Sequence, residues 1–240
     1  MPIRMARLRT IPGADRRART PRAMPTSSRP NLLAREDLPP PPRQRRSVDN
    51  RERLKAVALG LFARHGYART SIDDIAAGAD LATGGFYLHF RTKRQLLVAL
   101  MDELLRALDA IELELPSAAE PRRAIRALLT RAFSTDLRFL GAYRAWQEAI
   151  LADADLARKH QDIHRWTTMR VRNLFRALQT WPGARSGVDV DGLAQVMDRF
   201  FWALLAEALR VPGIELDQWL DAATHLVFHA MFVDGQGVKR

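Results

Sequence analysis

Apolar positions recur along this chain with a helical period over most of its length. In "SVDNRERLKAVALGLFARHG", Leu54, Val57, Ala58, Leu61 and Phe62 fall at i, i+3, i+4, i+7 and i+8, a single stripe on an α-helix. Ser47 or Asp49 stands where a cap is needed, and Gly66 where the helix can end. "TSIDDIAAGA" predicts a short helix with Thr70 or Ser71 as N-cap, acids in its first turn, and Ile75, Ala76 and Ala79 facing inward. "DLA" predicts a turn, "TGGFYLHF" a second short helix, and "RTKRQLLVALMDELLRALDAIELEL" a long amphipathic helix stopped by Pro116. Further helices are expected near 119–134, 136–151, 153–181, 189–210 and 215–233, separated by "PSAAEP", "WPGARSGVD" and "VPGIE". Runs of β-branched residues and hairpin signals are few, so the expected fold is all-α.

A short helix, a tight turn and a second short helix form a helix-turn-helix, whose second helix reads base edges in the major groove from its N-terminal end. That geometry gives a reason for Gly84 and Gly85, which cost about 1 kcal/mol each relative to alanine inside a helix. In the first turn of a recognition helix, a bare backbone approaches DNA closely. Thr83 offers a hydroxyl there, and Tyr87, His89 and Lys93 offer donors for phosphates. Phe86 and Phe90 are expected to face inward. The same residues also fit a plain loop with core aromatics and a solvated lysine, and spacing alone leaves both readings open.

The stretch resembles the TetR family of bacterial transcriptional regulators. That family has an amphipathic first helix ending "LF…G", then T-x-x-x-I-A-x-x-A-G-V-S-x-G-x-L/F-Y-x-x-F-x-x-K-x-x-L. The matching residues are Leu61, Phe62, Gly66, Ser71, Ile75, Ala76, Ala79, Leu81, Gly84, Phe86, Tyr87, Phe90, Lys93 and Leu96. The resemblance implies a helix-turn-helix domain over 48–108, with the motif at 71–90, joined through a long helix to a helical ligand-binding and dimerisation domain over 116–235. It implies a homodimer on a palindromic double-stranded DNA operator, released by an apolar or aromatic small-molecule inducer. Carried over by position, Thr83, Gly84 and Gly85 face bases, Tyr87, His89 and Lys93 contact the backbone, and Ser71 joins the DNA-binding set. Two departures stand out. Asp80 replaces the usual turn glycine, and Asp tolerates the left-handed conformation better than most residues. Ala82 replaces a capping Ser, a loss of about 1 kcal/mol unless Thr83 takes over the role. The recognition helix is therefore expected to be weakly formed without DNA.

Charge adds less than its size suggests. The net charge is +11, but residues 1–46 hold twelve Arg against Asp15, Glu36 and Asp37, leaving +2 for the rest. This segment also holds nine prolines, a composition expected to be disordered. A basic arm on nucleic acid, an inert tail and a start assigned too far upstream all fit it.

The C-terminal half is rich in large side chains. Most must be core or dimer interface, and Trp146, Trp166 and Met169 are candidate liners of an apolar inducer pocket. Phe200, Phe201, Leu204, Leu205, Leu226 and Phe228 suit pairing of the last two helices with a second copy. His160 with His164, and His225 with His229, stand at i, i+4, but neither pair has the further ligands a metal site needs, and surface or interface roles are expected. The chain has no cysteine, and no catalytic constellation, nucleotide loop, secretory signal or membrane-length apolar run is recognised. The expectation is a cytoplasmic, cofactor-free regulator and not an enzyme, a repressor by first choice, with the sign of regulation left open by the sequence. The rival is a helical ligand-binding or scaffold protein with a vestigial helix-turn-helix.

Overall fold

The computed structural model describes residues 28–111, 120–210 and 216–233, which form nine helices among the described residues and no strand. These are α1 (Arg45–His65), α2 (Ile72–Gly78), α3 (Thr83–Tyr87), α4 (Lys93–Asp109), α5 (Pro121–Arg138), α6 (Leu140–Ala149), α7 (Ala154–Gln179), α8 (Val190–Ala208) and α9 (Leu216–Met231). Residues 1–27 of the expected tail, the predicted stop at Pro116 and the "VPGIE" linker lie outside the described residues.

The apolar stripes become two cores. One joins Leu54, Ala58 and Phe62 of α1 to Ile75 and Ala76 of α2, Phe86, Phe90 and the first turns of α4, and continues into Trp146 of α6 and Trp166 of α7. The other joins α5, the second half of α7, α8 and α9. The first core thus crosses the boundary expected between the two domains, because α6 lies directly against α1. Gly141 makes that crossing possible: a Cβ there would stand 2.0 Å from the Leu59 carbonyl oxygen. Gly66 ends α1 at φ +81°, and its N–H reaches the Phe62 carbonyl at 2.9 Å.

Several boundaries differ from the sequence expectation. Gln44, not Ser47 or Asp49, is the N-cap of α1, and it makes no side-chain cap hydrogen bond. The long helix ends at Asp109 with Ala110 as C-cap, and α5 and α6 meet at Phe139. The larger correction concerns the tail. Residues 28–44 lie on the folded body as a strap, with Leu32 only 1% exposed. Arg29 pairs with the buried Asp102 of α4 at 2.5 Å. Glu36 pairs with Arg94 of α4 at 2.8 Å and with Lys159 of α7 at 3.5 Å, and Lys159 donates to the Leu32 carbonyl at 2.6 Å. Composition signals disorder only where a segment finds no surface to bury against. Here one leucine, one arginine and one acid find partners on α4 and α7.

Candidate nucleic-acid interface and adjoining cavity

The α2–α3 unit is built by local chemistry. Ser71 caps α2 in a capping box: its hydroxyl accepts from the Asp74 N–H at 3.0 Å, and its own N–H donates to the Asp74 carboxylate at 2.9 Å. The Ser71 hydroxyl also donates to the Asp74 carboxylate at 2.6 Å, and this bond, followed by the one from the Ser71 N–H, holds the Asp74 carboxyl below its ordinary range. The turn that follows runs through Asp80 at φ +54°, the left-handed conformation expected where the family pattern has glycine. Ala82 is the N-cap of α3 and makes no side-chain cap hydrogen bond. Thr83 does not replace it; its hydroxyl donates across the motif to the Asp73 carboxylate at 2.6 Å, tying α3 to α2. The recognition element is only five residues long, shorter than the expected 83–90.

Side-chain burial sorts the candidate residues. Phe86 and Phe90 are fully buried and pack ring to ring with centroids 5.9 Å apart, pinning α3 from below. Thr83, Gly84 and Tyr87 are exposed on one side, and a Cβ added at Gly84 would meet nothing within 4 Å. Gly85 is half-buried against Leu81. Leu88, which the motif did not single out, is 73% exposed beside Tyr87. An apolar side chain that finds no core partner next to the candidate base-reading face is the signal that sequence reasoning passed over.

His89 departs from its expected role. It is 3% exposed, its Nδ1 has no hydrogen-bond partner among the described residues, and burial followed by the nearby Arg51 lowers its pKa. Its ring lies inside and not on the surface, because Phe86 and Phe90 draw this turn into the core. Arg51 sits above, donating to the His89 carbonyl at 2.9 Å and stacking 4.3 Å from the Phe90 centroid. Lys93 is half-buried and donates to the Tyr67 and Thr70 carbonyls, both at 2.7 Å, which ties the start of α4 to the α1–α2 loop. Burial lowers its pKa. Two of its three N–H donors are thus engaged within the fold.

On the far side of α4 lies a cavity of about 150 Å³. Met101, Leu104, Leu105 and Leu108 of α4 form one wall, with α5, Tyr143 of α6, α7 and α8 forming the others. Trp166 lines it as expected. Trp146 and Met169 do not: Trp146 is fully buried in the first core, its indole N–H reaching His160 at 3.3 Å, and Met169 is absent from the wall. Two polar residues that the sequence reading passed over, Asp136 and Asp198, line it as well. The rings of each histidine pair do meet, edge to face with centroids 4.5 Å apart for His160 and His164, and tilted with centroids 4.1 Å apart for His225 and His229. His164 faces Asp198 at 3.3 Å. Among the described residues no group of three metal-ligating side chains converges. Burial, with the His164 charge second, holds His160 down at about 4.

An exposed, side-chain-poor helix start on a braced helix-turn-helix, within an all-α frame, defines a helix-turn-helix DNA-binding regulator. Residues 54–100 match the family model described as "Bacterial regulatory proteins, tetR family". Over this segment the chain is similar to the TetR family. It is 27% identical over 205 residues to the HTH-type transcriptional regulator EthR of Mycolicibacterium smegmatis, covering 80% of this chain and 92% of that protein. It is 25% identical over 197 residues to the HTH-type transcriptional regulator TtgR of Pseudomonas putida, covering 75% and 91%. Among solved structures, SmeT, the repressor of the Stenotrophomonas maltophilia multidrug efflux pump SmeDEF, superposes with a TM-score of 0.60 at 22% identity, over 78% of this chain and 94% of that one. Among the described residues, no helix is long and apolar enough to cross a membrane.

Proposed function

We propose that this regulator is a repressor that binds a palindromic operator as a homodimer and leaves it when a small molecule occupies the cavity beside α4. Residues 48–108 serve as the DNA-binding domain, and residues 116–235 as the ligand-binding and dimerisation domain. Thr83, Gly84 and Gly85 face bases with Leu88 beside them, Tyr87 contacts the phosphate backbone, and the remaining donor of Lys93 reaches a phosphate. Ser71 caps α2 and keeps an exposed position at the interface edge. Val196 of α8 and Leu226 of α9 are 65% and 49% exposed, which suits a face covered by the twin subunit.

The observation that carries this reading is the continuity of α4. Its first turn is seated in the helix-turn-helix through Lys93, while Leu104, Leu105 and Leu108 line the cavity. A second route runs along α6, where Tyr143 lines the cavity, Gly141 touches α1, and the Glu148 carboxylate accepts the Tyr67 N–H at 2.7 Å. A ligand that shifts either helix re-aims α3 and favours the population whose recognition helices no longer fit two half-sites. SmeT is a repressor of an efflux pump by its description, and that class of target is a sensible first choice here. The experiment is selection of duplexes from a random library, followed by affinity measured against salt. Enrichment of a palindrome and a steep logarithmic salt slope are expected. No enriched sequence and a flat slope would favour a scaffold protein with a vestigial motif.

A further inference from the structure

The cavity wall is apolar except for a few groups, and most of these are already engaged. The Tyr143 hydroxyl donates to the Trp202 carbonyl at 3.3 Å. Thr167 donates to the His164 carbonyl at 3.1 Å, and Asp198 accepts from Thr168 at 2.9 Å. Arg170, the basic residue among the liners, spends its guanidinium on the Leu108 and Ile111 carbonyls at 2.9 and 3.1 Å and on Asp109 at 3.2 Å. Two groups are not engaged: the Trp166 indole N–H, which has no partner among the described residues, and Asp136. Asp136 lies on α5, partly buried, and it lines the cavity. Among the described residues no side chain or backbone N–H donates to its carboxyl group. Burial pushes that group up to about 7 from an ordinary 3.8.

Aromatic rings surround the same space. Phe133 and Phe201 meet edge to face with centroids 5.5 Å apart, and Tyr143 packs against Trp202 at 5.3 Å. A carboxyl without a donor is costly in such surroundings, and faces of π-electrons attract a positive charge. We infer that the cavity is built for an apolar molecule carrying a cationic amine, with Asp136 as the group that pairs with the ammonium. The inference rests on the reading of this cavity as the ligand site and adds to it the class of ligand. On binding, the amine N–H supplies the donor that the protein does not, and the aromatic walls cover its hydrocarbon part. A 150 Å³ cavity is about the size that holds a single benzene ring.

The test is calorimetric titration of the full-length protein at neutral pH with benzylamine, and with ethylbenzene, which carries a methyl where benzylamine has its ammonium. Wild type should bind benzylamine at least about tenfold more tightly than ethylbenzene. Asp136→Asn should abolish that preference while leaving ethylbenzene binding within about threefold of wild type. If ethylbenzene binds wild type and benzylamine binds no more tightly, the cavity remains the ligand site but the role of Asp136 is overturned. A preference for the amine that survives in Asp136→Asn also overturns it. If neither compound binds, the reading of the cavity falls together with the inference.

Discussion

At Gly141 there is no room for a methyl group. Alanine would press its Cβ to 2.0 Å from the Leu59 carbonyl, which belongs to another helix and cannot rotate away. Gly141→Ala should therefore destabilise the protein by about 1–3 kcal/mol, read as a shifted urea midpoint with an unchanged slope. Asp136 makes a prediction about pH. Its folded pKa is raised to about 7 from 3.8, so the folded chain holds a proton that the unfolded chain releases between those values. The stability it allows is complete below 3.8 and is lost as pH rises through 7. Between about pH 5 and pH 8, wild type should lose roughly 2–3 kcal/mol that Asp136→Asn keeps. Equal pH slopes for the two proteins would contradict this. Some of this scale was legible in the sequence. Asp80 was identified as a left-handed turn residue because the motif puts it where glycine stands, and the conformation it must adopt is local. His89 was not legible as buried, because its inward turn depends on how Phe86 and Phe90 seat against α1 and α4. Asp136 was missed for the same reason: an isolated acid within a helical stripe looks solvated until the helices around it close.

Among the elements, the five-residue α3 is the least self-sufficient. It lacks a side-chain cap, begins with two glycines after Thr83, and is held by Phe86 and the Thr83–Asp73 hydrogen bond. In the free protein, amides of residues 83–88 should exchange faster than those of α4; strong protection would show that packing alone holds the helix. The strap before α1 behaves in the opposite sense. Its Leu32 is buried and its polar groups bridge α4 and α7, so Leu32→Ala should cost about 2 kcal/mol in thermal or urea unfolding. No measurable loss would mean that the strap contributes nothing to the folded state. Helix positions were readable to within a few residues because the apolar stripe is a local pattern. The strap was not, because the surface it buries comes from Arg94, Asp102 and Lys159, residues distant in sequence that only the fold assembles.

In the whole molecule, two long-range features connect the candidate DNA face to the cavity: α4, which runs from one to the other, and the α1–α6 contact at Gly141. The all-α architecture and the helix-turn-helix were legible because one sequence register carries most of the motif. The cavity was not, since it forms where five helices meet and two of its three nominated liners lie elsewhere. The central claim is that α3 meets DNA with the face bearing Gly84. A side chain at this position would meet nothing within 4 Å, so a change there alters the surface and not the packing. The decisive measurement is the affinity of Gly84→Glu for the selected duplex, beside wild type, at one salt concentration and with unfolding curves for both. A carboxylate pressed into the groove should lower affinity by at least about a hundredfold while the variant unfolds no earlier than wild type. Affinity equal to wild type would show that DNA is met by another surface and would contradict the account.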